Sequence, residues 1–340
     1  MALKLGLMTG YWGAQPPADL IAVAKRAETL GYWGFFTAEA YGSDALTPLA
    51  WVGAHTTKIK LGTAIVQISA RTPTATAMHA LTLDHLSGGR LVLGLGVSGP
   101  QVVEGWYGQP FAKPLARTRE YISIVRQVLA REAPVHNAGP HYPIPYPAEA
   151  DGSWGLGKPL KPITHPLRAD IPIFLGAEGP KNVAMAAELC DGWYPLYYSP
   201  MREEVYRDSI ADRSADFEIM YPMQMQVTDD VEAGRLSVKQ NLALYVGGMG
   251  SRDRNFHNEL IVRLGFGDAA KKIQDLYLDG KKAEAAAAVP DELVDEIALV
   301  GPKDRIKQRL AAWQDSAVTG LLVWPKTEAD LNTFAELVLE

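Results

Sequence analysis

The sequence predicts an eight-stranded parallel (β/α)8 TIM barrel with insertions, and three observations carry that prediction. Strand-like and helix-like runs alternate along most of the 340 residues. The first four strand candidates begin about 30 residues apart, the cadence of repeated βα units. The strand runs are apolar on both faces, as they are when helices cover both sides of a parallel sheet. Eight such units fit a closed barrel, and a doubly wound open sheet is the alternative that the pattern leaves open.

The chain opens with LKLGLMT (3–9) as a strand, followed by a helical pattern from Asp19 to Leu30 that Gly31 ends. WGFFTAE (33–39) is the second strand, and LTPLAWVGAHT (46–56) a helix with Pro48 near its start. IKLGTAIVQI (59–68) is the third strand, TPTATAMHALTLDHLSGG (72–89) a helix closed by glycines, and LVLGLG (91–96) the fourth strand. The cadence then breaks. A helix over 115–131 sets Leu115, Ile122, Val125 and Leu129 on one stripe. Residues 133–171 carry eight of the 23 prolines and predict a long excursion rather than a regular element. The rhythm resumes with IPIFLGA (171–177), a helix over 179–190 and GWYPLY (192–197). FEIMYPMQMQVT (217–228) is the seventh strand, helical patterns fill most of 229–288, and DELVDEIALVG follows Pro290. A helix over 302–316, the strand GLLVWP (320–325) and a helix over 327–340 complete the chain. Residues 1–340 read as one domain with insertions at 133–171 and 229–288.

Composition excludes several classes. Hydrophobic residues make up 47% and charged residues 21%, the balance of a globular chain. A net charge of −6 without a long basic run argues against nucleic acid or an anionic membrane as the main partner. Cys190 is the only cysteine, so one chain forms neither an internal disulfide nor a multi-thiolate zinc site. No apolar run approaches the ~20 residues of a membrane span, and the N-terminal residues lack a signal-like apolar region. These features predict a cytoplasmic protein.

LVLGLGVSG (91–99) contains Gly94-x-Gly96-x-x-Gly99, the spacing of a dinucleotide-binding turn. The surroundings disagree with that reading. Gly105, Gly108, Pro110 and Pro114 oppose a continued helix after Gly99, and the acid at the right offset, Glu120, sits inside a helical pattern. The motif instead reads as the end of a barrel strand, where glycines permit close backbone approach, or as a plain glycine-rich βα turn.

Barrel chemistry is built at the C-terminal strand ends. The first end offers Tyr11 and Trp12, the second Glu39, Ala40 and Tyr41, the third Ala64 to Gln67. The fourth offers Val97, Ser98 and Gly99, and the fifth Gly176, Ala177, Glu178 and Gly179 before Pro180. A helix starting at GAEGPKN leaves free N–H groups that suit an anion such as phosphate, with Lys181 able to add charge. Glu39 closes an apolar strand, so it is either functional or paired in a salt bridge across the rim. His79 and His85 are six apart and not on one helical face, and His136, His141 and His165 fall in the excursion. No metal site, nucleophile elbow or phosphate-binding P-loop is legible.

Three stretches, 37–73, 83–99 and 171–193, with 289–313 at the end of the match, resemble the bacterial luciferase-like monooxygenase superfamily. Within it the chain is similar to the actinobacterial branch that uses the 8-hydroxy-5-deazaflavin coenzyme F-420. The resemblance implies a TIM barrel with a flavin or deazaflavin at the C-terminal rim and a cis peptide at Ala64–Ile65 supporting the ring. FMN-using members place an arginine where this chain has Val97, which favours F-420 over the alternative FMN. Deazaflavin relatives carry His after the acid of the second strand, where this chain has Ala40. The resemblance therefore implies a homodimeric oxidoreductase moving a hydride between the deazaflavin and a small organic substrate. Backbone at Val97, Ser98, Gly99, Gly176, Ala177, Glu178, Gly179 and Pro180, with Ala64 and Ile65, would hold the coenzyme. Glu39 would orient it, Tyr41 would donate a proton, and Tyr11 and Trp12 with Tyr41 would wall the substrate. An FMN monooxygenase, a deazaflavin-binding protein without turnover and, last, an NAD dehydrogenase are the alternatives.

Overall fold

The computed structural model describes residues 2–250, 252 and 255–340. Its strands are β1 (Lys4–Gly10), β2 (Gly34–Thr37), β3 (Lys60–Thr63), β4 (Val66–Gln67), β5 (Leu91–Gly96), β6 (Ile173–Gly176), β7 (Gly192–Tyr194), β8 (Glu218–Val227), β9 (Ala298–Gly301) and β10 (Gly320–Val323). Eight of them form a ring of parallel pairs that closes because β10 joins both β1 and β8. Closure decides for the TIM barrel over the open sheet. β4 continues the line of β3, and β9 stands beside the ring. The run 291–301, which the strand count omits, folds as a helix (Asp291–Ile297) and then β9. The ten-residue β8 forks to accommodate it: Met220–Met223 pair with β10, and Gln224–Val227 pair with β9.

Helices α1 (Leu20–Thr29), α2 (Leu46–Gly53) and α3 (Pro73–Ser87) follow β1, β2 and β4. The last shows why the sequence folds this way: the Thr72 side chain caps it, Pro73 occupies its first turn and left-handed Gly88 ends it. After β5 come α4 (Pro100–Gly105) and α5 (Pro114–Ala130). A single short helix therefore does follow Gly99, and it stops at Gly105. After β6 and β7 come α6 (Pro180–Leu189) and α7 (Glu204–Arg207). Then come α8 (Val231–Leu242), a π-helical segment (Ala243–Gly248), α9 (Phe256–Arg263), α10 (Gly267–Leu278) and α11 (Lys282–Ala287). The helix at Asp291–Ile297 is α12, followed by α13 (Lys303–Gln314) and α14 (Glu328–Leu339).

The predicted third strand is broken in the middle. β3 and β5 pair at Gly62 and Val92, while β4 and β5 pair at Val66 and Leu95. Three residues, 63–65, thus face two, 93 and 94, which is a one-residue bulge. The peptide bond between Ala64 and Ile65 is cis. The Thr63 hydroxyl takes over the interrupted ladder, donating to the Gly94 carbonyl and accepting from the Gly94 N–H, each at 2.8 Å. Gly94 and Gly96 make this possible. A Cβ on Gly94 would overlap the Thr63 carbonyl oxygen, and one on Gly96 would lie 2.8 Å from the Ile65 side chain.

The barrel interior is filled by Met8, Phe36, Val92, Phe174, Tyr194, Met220 and Leu322, one inward residue from each of seven strands. The eighth strand contributes Gly62, whose missing side chain is replaced by the Phe36 ring. A larger apolar layer packs between the strands and the helices, led by Leu5, Phe35, Leu61, Leu93 and Ile173. Burial of a side chain such as Phe35 contributes about 2–3 kcal/mol.

The stretch LDHLSGGR belongs to the opposite end of the barrel from the strand C-termini. Arg90 donates to the carbonyls of Gly53, Thr56, Ile59 and Ser87, tying the entries of β3 and β5 together. Asp84 is paired with Arg168 at 2.8 Å and fixes the end of the excursion before β6. Glu120, the acid at the dinucleotide offset, accepts from the backbone N–H groups of His141 and Tyr142 at 3.1 Å. It therefore pins the excursion to α5 and serves no ribose.

Gly94→Ala should cost about 3 kcal/mol of stability, because neither the Thr63 backbone nor the ring of Tyr194 can yield. Gly105→Ala, where an added Cβ meets nothing within 4 Å, should change stability by less than about 1 kcal/mol. Denaturant midpoints check this, and equal midpoints for the two variants would contradict it.

Candidate functional site

The C-terminal mouth of the barrel is organised first by Glu39. Its side chain is only 3% exposed. One carboxylate oxygen accepts from the Gln67 N–H at 3.0 Å and from Arg71 at 2.8 Å. The other accepts from Arg71 at 3.0 Å and from the Ala45 N–H at 3.3 Å. Four donors use the four lone-pair directions of a carboxylate. Burial pushes the Arg71 guanidinium down, but the hydrogen bonds and charge of Glu39 outweigh it and hold Arg71 above its usual range. Glu39 is thus the salt-bridged acid of the two sequence readings, and it fastens the bulge to the start of α2. Both of its oxygens are already engaged by donors, two of them from the Arg71 guanidinium.

Around this clamp the rim is partly aromatic. The Gln67 amide donates to the carbonyls of Glu39 and Ala40, and the Tyr107 hydroxyl donates to Ala40 as well. Tyr41 is exposed and sits 6.5 Å from the Trp106 ring. Tyr11 is also exposed at the end of β1. Trp12 does not join it. It lines a separate hollow of about 340 Å³ with Pro16, Pro17, Leu20 and Trp51, at the tops of α1 and α2. Left-handed Gly10 (φ +64) turns the chain before Trp12, whose backbone N–H donates to the Ser43 hydroxyl at 3.0 Å in the loop after β2.

Ile65 stands over the inner rim, its side chain bedded on Gly96 and Gly176; a Cβ added at Gly176 would lie 3.4 Å from it. Val97, Arg71, Ser69 and Thr72 line a cavity of about 260 Å³, closed on its far side by Phe111, Pro114, Arg117 and Tyr142. Tyr142 is the excursion's contribution to that cavity. Ser98 adopts a left-handed backbone (φ +59), which turns the chain so that Gly99 starts α4. Two helices thus begin with Gly-Pro at neighbouring strand ends, α4 at Gly99 and α6 at Gly179, and neither has a side-chain cap. Ala177 is buried, and its carbonyl accepts from the Trp193 indole at 2.7 Å. That hydrogen bond ties the loop after β6 to β7. Pro180 is exposed at the start of α6.

The other side of the mouth holds residues that the strand-end reading missed. Glu178 bonds His257 Nδ1 at 2.8 Å, and its carbonyl accepts from Arg263 at 3.1 Å, so both ends of α9 rest on it. The Tyr245 ring, from the π-helical segment, meets the His257 ring edge-on at 5.0 Å and the Tyr197 ring at 6.2 Å. The Tyr197 hydroxyl donates to Asn241, which also accepts from Gln224 at 3.0 Å. Burial raises the Tyr245 hydroxyl, and the charges of Tyr11 and Glu178 add to the rise. No local motif marks His257, which is 79 residues from its partner.

Arg71→Met leaves the Glu39 carboxylate buried without its cation and should cost about 3 kcal/mol. Adding Glu39→Gln should recover part of the loss. Denaturation of the two single variants and the double variant measures this, and a stable Arg71→Met protein would contradict it.

Comparison with known proteins agrees with this geometry. The model of the luciferase-like monooxygenase family matches residues 4–320. A Mycobacterium tuberculosis protein named provisionally as a coenzyme F-420-dependent oxidoreductase is 54% identical, over 99% of both chains. Among solved structures, the F-420-dependent tetrahydromethanopterin reductase of Methanopyrus kandleri superposes with a TM-score of 0.80 at 21% identity, covering 100% of this chain and 99% of that one. An F-420-dependent secondary alcohol dehydrogenase superposes with a TM-score of 0.75 at 14% identity, covering 100% of this chain and 99% of that one. With its closed barrel, its bulge after β3 and a family match across most of its length, the chain belongs to the luciferase-like monooxygenase family.

Proposed function

We infer that this protein is an F-420-dependent oxidoreductase acting on a small organic substrate. The observation that carries the reading is the seat at the mouth: Ile65 bedded on Gly96 and Gly176, beside the uncapped start of α6. A flat tricyclic ring needs a rigid apolar support, and an anionic tail needs unpaired N–H groups. The residues present fit both demands. Ala64 and Ile65 are partly exposed, and Gly179 has open space around it. The 54% identical relative, which carries an F-420-dependent name, supports the same coenzyme.

The bound coenzyme would supply two-electron hydride chemistry, and the chain would do the rest. Ile65 would support the ring from below, and the start of α6 would receive the phosphate-bearing tail. Glu39 and Arg71 would act at one remove, holding the bulge and therefore Ile65 in place. Tyr11 and Tyr41 would bound the substrate side of the ring and limit the entry of water. Val97 offers no charge to the tail, which accords with the deazaflavin. One observation favours FMN instead: Arg117 and Arg71 line the cavity next to Val97 and could replace the arginine missing there.

Side-by-side titration of the purified protein with F-420, FMN and NADPH should find F-420 bound at least tenfold tighter than either competitor, a difference of about 1.4 kcal/mol. FMN bound tenfold tighter than F-420 would overturn the reading.

A further inference from the structure

We propose that His257, oriented by Glu178, is the side chain that exchanges a proton with the substrate. The proposal rests on the coenzyme reading above and adds an imidazole where Ala40 offers none, with Tyr41 as the other candidate donor at the mouth.

The placement is set by the fold. Glu178 lies two residues beyond the end of β6, and Tyr11 lies one residue beyond the end of β1. These are the fifth and first strands of an eight-stranded ring, so their ends face each other across the mouth. The Tyr245 ring of the π-helical segment meets Tyr197, three residues beyond the end of β7, so that segment lies over the β6–β7 side of the mouth. His257 stands against Tyr245 and is held there three ways. Its Nδ1 bonds Glu178, its backbone N–H donates to the Asn255 side chain at 3.0 Å, and its ring packs edge-on against Tyr245. The ring has a second nitrogen, Nε2, and the side chain keeps 18% of its surface exposed. A carboxylate on Nδ1 fixes the tautomer and leaves Nε2 to the ligand, the arrangement by which a histidine serves as a general acid or base. Glu178 is the positioning residue, and Arg263 secures its backbone.

In the reducing direction the substrate carries a C=O or C=N bond. A hydride from the reduced deazaflavin forms a C–H bond at the carbon, and the π electrons move to the heteroatom. That atom takes the Nε2 proton of the His257 imidazolium. The imidazole is left neutral, keeping its proton on Nδ1 and donating it to the Glu178 carboxylate, and the coenzyme would be left oxidised by two electrons. The oxidising direction is the reverse.

Two readouts test this on the full-length protein. The first is NMR of the His257 ring, compared without and with F-420 at saturation. The neutral ring should be protonated at Nδ1, its signals should move on binding, and Glu178→Gln should abolish the single tautomer. The second is reduction of a panel of carbonyl, imine and enone compounds by reduced F-420. His257→Asn should lower kcat by about 100-fold while KM and the affinity for F-420 stay within about threefold. His257 signals that do not move on F-420 binding would overturn the proton role, whether or not a panel compound is turned over. So would His257→Asn turnover at the wild-type rate. Failure of the wild type to bind F-420 would instead remove the coenzyme reading on which the proposal stands.

Discussion

Gly94 and Gly96 leave β5 bare where its neighbour carries one residue too many, and the mouth of the barrel is built on that allowance. The extra residue forces Thr63 against β5 and lifts Ile65 onto the glycine track formed by Gly96 and Gly176. A side chain on either β5 glycine would occupy the same space. The distortion is then secured from both sides. Thr63 repairs the ladder below it, and the Ile65 carbonyl accepts from the Glu39 N–H at 3.2 Å above it. A motif whose spacing suggests a dinucleotide turn therefore does a packing job, and its consequence for function runs through Ile65.

The electrostatics follow from the same distortion. The bulge ends at Gln67, whose N–H points at Glu39, and the chain beyond it delivers Arg71 to the same carboxylate. Burying an acid at a barrel rim is costly unless its charge is met, and here four hydrogen bonds and one cation meet it. Glu39 thus contributes rigidity to one half of the mouth. The other half is assembled by chain segments far apart in sequence, with Glu178 at a strand end and His257 and Tyr245 on the insertion. One wall is locked and charge-balanced, and the other carries an imidazole that is bonded to Glu178 through Nδ1. That asymmetry suits a site in which one side positions a coenzyme and the other handles protons.

Much of the barrel is legible in the sequence, because short runs apolar on both faces alternate with period-3.6 patterns and glycines mark the helix ends. The Glu39 pairing is legible in part: a buried acid requires a cation, but only the bulge geometry selects Arg71. β9 escapes because four apolar residues behind a helix look the same whether they extend that helix or pair with the upper half of a long β8. His257 is not legible, since nothing in HNELIVRLG shows that this helix will rest on the end of β6. Contacts between an insertion and a rim are tertiary, and local patterns carry no record of them.

The account's central claim is that the seat formed by Ile65 and the start of α6 receives the coenzyme. A crystal structure of the protein with F-420 bound tests it most directly. The account predicts the deazaflavin ring against Ile65 and its tail phosphate within hydrogen-bonding distance of the N–H groups of Gly179 and Lys181. A ring bound away from Ile65, in the hollow between Trp12 and Trp51 or on the outer surface of the barrel, would contradict it.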